Sequence, residues 1–192
     1  MLPALLKEIK SCTVCKDFLP LGCRPVLKAS SKSKILVVGQ APGIRVHKSG
    51  IPWNDPSGNN LRKWLGVNDE TFYNPDNFAI VPMAFCYPGT GKSGDLPPRK
   101  ECAPLWHEQL IEQMPNIELT LLIGLYAQKY YLQKSAKKNL TETVKSYEEY
   151  LPKYLPLPHP SPRNNIWQKK NQWFPNMVLP ILKEQVNNLI SE

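Results

Sequence analysis

Residues 35–65, ILVVGQAPGIRVHKSGIPWNDPSGNNLRKWL, decide how the chain is read. The stretch opens with the apolar run Ile35-Leu36-Val37-Val38, short and uniform enough for a strand buried on both faces. The run ends at Gly39. The loop after it carries Gly43, Gly50 and Gly58 with Pro42, Pro52 and Pro56. An amphipathic helix is expected next, with Ser57 or Asn59 as cap, running to about Gly66 and burying Leu61, Trp64 and Leu65. A strand that hands a stiff Gly/Pro loop to the carboxyl edge of a sheet is where open α/β folds hold their ligands.

Outward from there the pattern repeats. Phe78–Met83, Glu118–Gly124 and Tyr154–Pro158 read as further short apolar strands. Helices are expected at Leu2–Ile9, Ala103–Met114, Leu125–Gln133, Thr141–Tyr150 with Thr141 as cap, and Asn171–Ile190, the last interrupted near Pro175 and Pro180. Phe18–Lys34 and Tyr87–Lys100 read as loops, and Phe72–Asn77 as a turn. Four strands alternating with helices predict a parallel sheet covered on both faces. Strand ends carrying Gly, Pro or His place polar function on one edge of it.

The 192 residues suit one domain over 1–192, with residues 1–34 as a cysteine-bearing N-terminal arm packed on it. The net charge of +8 fits either a polyanionic partner or a solvated basic surface. No apolar run reaches the roughly 20 residues of a membrane span, so no membrane association is expected. The apolar start is broken by Lys7 and Lys10, and the chain reads as cytoplasmic, or nuclear in a eukaryote. Five cysteines in such a chain point to metal or catalysis rather than disulfides.

Cys12 and Cys15 form a C-x2-C pair, and Cys86 and Cys102 stand fifteen residues apart in the gap between them. Four thiolates from two distant segments can enclose an iron–sulfur cluster or a zinc ion, or can simply be buried thiols. Cys23 is left over, a core or incidental thiol. A second group, His159-Pro160-Ser161-Pro162-Arg163-Asn164, follows a strand directly. Its prolines stiffen the backbone around Ser161, so the loop can press on a phosphate backbone while His159 points into a pocket. Downstream, Asn165, Trp167, Lys169, Lys170 and Trp173 mix basic and aromatic residues in a way that suits DNA, or a helix start with buried tryptophans. Gly89-Thr90-Gly91-Lys92-Ser93 imitates the end of a P-loop, but Cys86 stands where that motif needs its first glycine and no helix can open at Leu96-Pro97-Pro98. Nucleoside triphosphate binding is excluded on that ground.

With these pieces placed, nearly the whole chain resembles the uracil-DNA glycosylase superfamily. Gly39-Gln40-Ala41-Pro42-Gly43 looks like its first motif and His159-Pro160-Ser161 like its second. The form HPSPRN at 159–164 is similar to the single-strand-selective monofunctional uracil glycosylases, and the cysteine positions resemble family 4, the iron–sulfur glycosylases. The resemblance implies a three-layer α/β/α sandwich with a four-stranded parallel sheet. It also implies a monofunctional base-flipping enzyme, a hydrolase of the N-glycosidic bond in uracil-containing DNA, acting as a monomer. A 4Fe-4S cluster on Cys12, Cys15, Cys86 and Cys102 is implied too, with zinc or no metal as alternatives.

In that scheme Trp53 stacks on the flipped base, and backbone N–H groups at Gly39, Gln40 and Ala41 meet it with His159. Pro160, Ser161, Arg163 and Asn164 contact DNA. Two departures stand out. Ala41 occupies the place of a water-activating Asp, and Pro82 that of a uracil-reading Asn. Asp55 resembles an acid carried by family 5, which accepts several deaminated bases, and is expected either to position water or to cap a helix. His47 is a second candidate. A non-catalytic nucleic-acid-binding protein on the same scaffold is the alternative that Ala41 and Pro82 leave open.

Overall fold

The computed structural model describes residues 1–191. The chain runs α1 (Leu2–Lys10), β1 (Ile35–Val38), α2 (Ile44–Ser49), α3 (Pro56–Leu65), α4 (Asp69–Tyr73), β2 (Phe78–Ile80), β3 (Thr90–Gly91), β4 (Gly94–Asp95) and α5 (Cys102–Glu112). It continues through β5 (Leu119–Ile123), α6 (Leu125–Leu132), α7 (Leu140–Lys145), β6 (Tyr154–Leu157), α8 (Asn165–Lys170) and α9 (Leu179–Ile190). The four-stranded sheet has the order β2-β1-β5-β6 and every pairing in it is parallel.

Strand pleating sends alternate side chains to opposite faces, and the core divides accordingly. Ile35 and Val37 of β1 pack with Leu61 and Leu65 of α3 and with Leu182 and Val186 of α9. Leu36 and Val38 pack with Leu5 and Ile9 of α1, Leu110 of α5 and Ala127 of α6. Helices therefore cover both faces, in the three-layer arrangement expected. The N-terminal arm also closes the open edge of β2: Lys28 and Ile80 form an antiparallel bridge, and Val26 N–H donates to Phe85 O at 2.8 Å. At the other edge β6 carries Pro156, a residue tolerated where no further strand must pair.

Several local expectations are corrected. The loop after β1 contains α2, a six-residue helix too short, between Gly43 and Gly50, to show a helical repeat in sequence. Phe72 and Tyr73, expected to open a turn, instead end the short helix α4, which starts where the Asn68 side chain accepts from Thr71 N–H; the turn follows at 75–77. The second strand is shorter than expected and stops at Ile80, two residues before Pro82. Asp55, not Ser57 or Asn59, caps α3, and Asn139, not Thr141, caps α7. Within Tyr87–Lys100 a two-residue hairpin pairs Thr90 with Asp95 and Gly91 with Gly94. Among the described residues no helix is long and apolar enough to cross a membrane.

Candidate active site

The carboxyl ends of β1, β2 and β6 open on a cavity of about 330 Å3. Gly39, Gln40, Ala41, Trp53, Asp55, His159, Ser161 and Arg163 all line it, so residues 120 positions apart in sequence share one wall. Pro160 is buried behind this wall, and Asn164 is half-buried outside the lining. Each of the two motif loops is fastened from outside. Asn60 Nδ2 of α3 donates to Pro160 O at 3.0 Å, and Asn164 Nδ2 donates to His159 O at 2.7 Å. Asn164 thus shapes the loop from within.

Gly39 O and Gln40 O accept from Met83 and Ala84 N–H at 2.9 and 3.1 Å, which pins the first loop to the segment after β2. The N–H groups of Gln40 and Ala41 have no protein acceptor among the described residues and remain available to a ligand. Gly39 has to be glycine: a Cβ there would stand 2.8 Å from Trp53 Cζ2. The indole of Trp53 lies across this glycine, with its ring centroid 5.7 Å from that of His159.

Trp53 itself sits at φ 56°, in the left-handed region, which costs a bulky residue about 1–3 kcal/mol. Arg62, a buried side chain of α3, offsets that cost. Its Nη1 donates to Trp53 O and to Tyr73 Oη at 3.3 Å each, its Nη2 to Asn59 Oδ1 at 2.7 Å, and its Nε pairs with Asp69 at 2.6 Å. An arginine on a helix reads from sequence as a solvent-facing charge, so this brace was not expected.

His159 is held in a defined tautomer. Ser161 N–H donates to its Nδ1 at 3.2 Å, so Nδ1 is the acceptor and Nε2 carries the proton of the neutral ring. Burial lowers the pKa of His159 below its ordinary value, while Asp55 and Asp95 pull it up. The neutral ring with an Nε2–H donor is the form set against the cavity. Asp55 Oδ1 accepts from Gly58 N–H at 2.8 Å, so this carboxylate caps α3 while bordering the cavity. His47 is buried against Tyr87, with ring centroids 5.8 Å apart, and does not reach the lining.

The β3–β4 hairpin also contributes Thr90, Gly94 and Asp95 to the lining, none of them anticipated. The only signal for them was an acid closing a glycine-rich stretch. Pro82 also lines the cavity, where it presents no amide. Its carbonyl takes the Nε2–H of buried His107 at 3.0 Å from behind. Trp167 and Trp173 turn inward, their indole N–H groups donating to Thr141 Oγ1 and Asn171 Oδ1 and their rings packing on Phe174. The aromatic part of the expected basic and aromatic face is therefore core packing.

Cys12, Cys15, Cys86 and Cys102 come together at a second, much smaller cavity, and Cys23 joins them. Its other walls include Val14, Pro25, Phe85, Leu105 and Trp106, with Arg99 and Glu101 paired at 2.6 Å beside it. Burial pushes the Cys86 thiol up to about 11 and Cys102 to about 12, so both are protonated in the absence of a nearby cation. Soft sulfur donors in an apolar setting fit a sulfur-ligated group by type. They are not gathered tightly: among the described residues no three His, Cys, Asp or Glu side chains form a group that could hold a single metal ion. Zinc, with Zn–S near 2.3 Å, needs such a tight set, whereas a multi-iron cluster spreads its thiolates wider.

The parallel sheet with an indole-walled pocket at its carboxyl edge defines an α/β protein with its candidate site where open parallel sheets hold ligands. The family model for the uracil DNA glycosylase superfamily matches residues 27–183, and the chain belongs to that superfamily. It is similar to the Type-4 uracil-DNA glycosylase of Sulfurisphaera tokodaii, with 25% identity over 153 residues that cover 80% of this chain and 68% of that protein.

Proposed function

We propose that the protein is a monofunctional DNA glycosylase that draws a deaminated base, uracil first among them, out of DNA and hydrolyses its N-glycosidic bond. The observation that carries this reading is the meeting of Trp53, His159 and the free N–H groups of Gln40 and Ala41 around one cavity. An extruded base stacks on the indole of Trp53. As the C1′–N bond breaks, negative charge gathers on the base. His159 Nε2–H and the loop N–H groups are the donors that stabilise it. Ser161 and Arg163 at the rim, with Pro160 and Asn164 behind them, grip the strand through its phosphates, and the net charge of +8 favours that polyanion.

The similarity to a uracil-DNA glycosylase supports uracil as substrate. Pro82, which offers no side-chain amide to the base edge, supports a tolerance that extends to other deaminated bases. Cys12, Cys15, Cys86 and Cys102 are the residues that hold a 4Fe-4S cluster in this reading. Such a group ties the N-terminal arm to α5 and supplies no step of the hydrolysis. The test is release of free base and formation of abasic sites on oligonucleotides carrying a single uracil, hypoxanthine or xanthine. Base release from at least one of them is expected. Binding without release from any of them assigns the chain to nucleic-acid binding alone.

A further inference from the structure

The pocket's two acids both lie outside its motif loop. Ala41 brings no carboxylate to the motif loop, yet the cavity is lined by two acids, Asp55 and Asp95. These are not equivalent. Asp55 is committed through Oδ1 to the N-terminus of α3, a 2.8 Å bond to Gly58 N–H. Asp95 arrives from β4 on the hairpin that lines the cavity, and its Oδ2 lies 3.2 Å from where a Cβ on Gly43 would stand. A carboxylate oxygen thus rests directly over the motif loop, only two residues along from Ala41.

That oxygen has no protein donor or ion-pair partner among the described residues. The other, Oδ1, takes a long 3.4 Å contact from Thr90 Oγ1, its cross-strand neighbour, and Thr90 is held in turn by the hydroxyl of buried Tyr87 at 2.5 Å. The chain Tyr87–Thr90–Asp95 therefore aims the side chain from one end and leaves the other end for a ligand or water. Glycine at positions 43 and 94 makes room for this: Arg163 Nη1 lies 3.5 Å from where a Cβ on Gly94 would stand, so the guanidinium rests against the same hairpin.

We propose that Asp95 is the carboxylate that holds and deprotonates the attacking water, delivered to the motif loop by the β3–β4 hairpin in place of an acid within that loop. The assignment rests on the glycosylase reading above. In the step itself the C1′–N bond breaks and its electron pair leaves on the base. The water oxygen bonds C1′, and the proton it sheds passes to Asp95 Oδ2 and from there to solvent. The negative charge of Asp95 also favours the cationic sugar that develops between these events. Asp55 adds charge from its cap position without taking the proton.

The experiment compares wild type, Asp95→Asn, Asp95→Glu and Asp55→Asn on a single-uracil oligonucleotide under single-turnover conditions, with thermal melting to confirm folding. Asp95→Asn is expected to lower the rate by about 10²–10⁴-fold with DNA affinity little changed. Asp95→Glu should restore part of the rate, and Asp55→Asn should cost much less than Asp95→Asn. An active wild type whose Asp95→Asn variant keeps its rate overturns this assignment and leaves the glycosylase reading standing. A wild type that releases no base from uracil, hypoxanthine or xanthine DNA overturns both. Gly43→Ala offers a second route: its Cβ displaces the carboxylate by a few tenths of an ångström without changing charge, and an unaltered rate in that folded variant counts against the proposal.

Discussion

The pocket at His159 and the cavity at the cysteines are held in opposite ways. Around His159 the loops are tied by Asn60, Arg62, Asn164 and backbone bonds to Met83 and Ala84, so their geometry exists without any ligand. Around the cysteines the five thiols are free and the neighbouring walls are mostly apolar. A preformed pocket suits a ligand that visits and leaves, because little order must be created at each encounter. A cavity lined by unbonded sulfur suits a group that arrives once and stays, and whose binding becomes part of folding.

The sharpest way to break this contrast is at the cysteines. Cys86→Ser is expected to lose all iron from protein purified anaerobically and to leave residues 1–25 open to protease, while the His159 pocket keeps its fold. Iron and sulfide analysis with limited proteolysis reads this, and a colourless wild type holding stoichiometric zinc instead would assign the cavity to zinc. On the other side, His159→Ala should reduce base release by about 10²–10³-fold, the scale of losing one oxyanion donor, with an unchanged melting curve. An activity equal to wild type removes His159 from the chemistry.

His107 sits between the two regions, bonding Pro82 O on one side and stacking at 9° on Phe85 on the other. Burial lowers its pKa from 6.5 to about 4. The unfolded chain takes up the proton first, so the neutral ring's contribution to stability is full above pH 6.5 and is lost as pH falls toward 4. The loss is on the order of 3 kcal/mol. Denaturant melts across this range should show a slope that His107→Gln flattens. Arg62→Met is expected to cost about 1.5–3 kcal/mol and to weaken substrate binding more than it slows chemistry, since it frees the Trp53 loop. The smallest effect is at the cap: Asp55→Ala should cost about 1 kcal/mol, and Asp55→Asn a few tenths at most.

The sheet was legible because its strands are buried on both faces and therefore read as unbroken apolar runs, as Ile35–Val38 and Leu119–Ile123 do. The motif loops were legible because Gly39 and His159 follow strands closely and Trp53 is a distinctive residue in the Gly/Pro loop before α3. What escaped lacks any such pattern. A hairpin of two-residue strands, Thr90-Gly91 and Gly94-Asp95, has no room for hydrophobic alternation, so the acid it delivers looked like loop. The brace at Arg62 depends on long-range partners at Trp53 and Asp69, and nothing in its helical neighbourhood announces burial. Of the roles expected for Asp55, the cap is visible in the bond that Gly58 N–H makes to one of its oxygens, while the residue also lines the cavity.

The segment from Pro82 to Cys86 belongs to both sites: its first residue lines the ligand pocket and its last lines the cysteine cavity. Four residues span at most about 14 Å even when fully extended, and here Met83 and Ala84 are bonded to the motif loop within that reach. Where ordering at Cys86 changes the affinity at Pro82, thermodynamic reciprocity requires the lesion to change the affinity for the sulfur-bound group by the same factor. Under the proposed reading, a lesion bound more tightly by the cluster-loaded protein would in turn stabilise the cluster, and retention of iron under a chelator would become a readout of lesion binding.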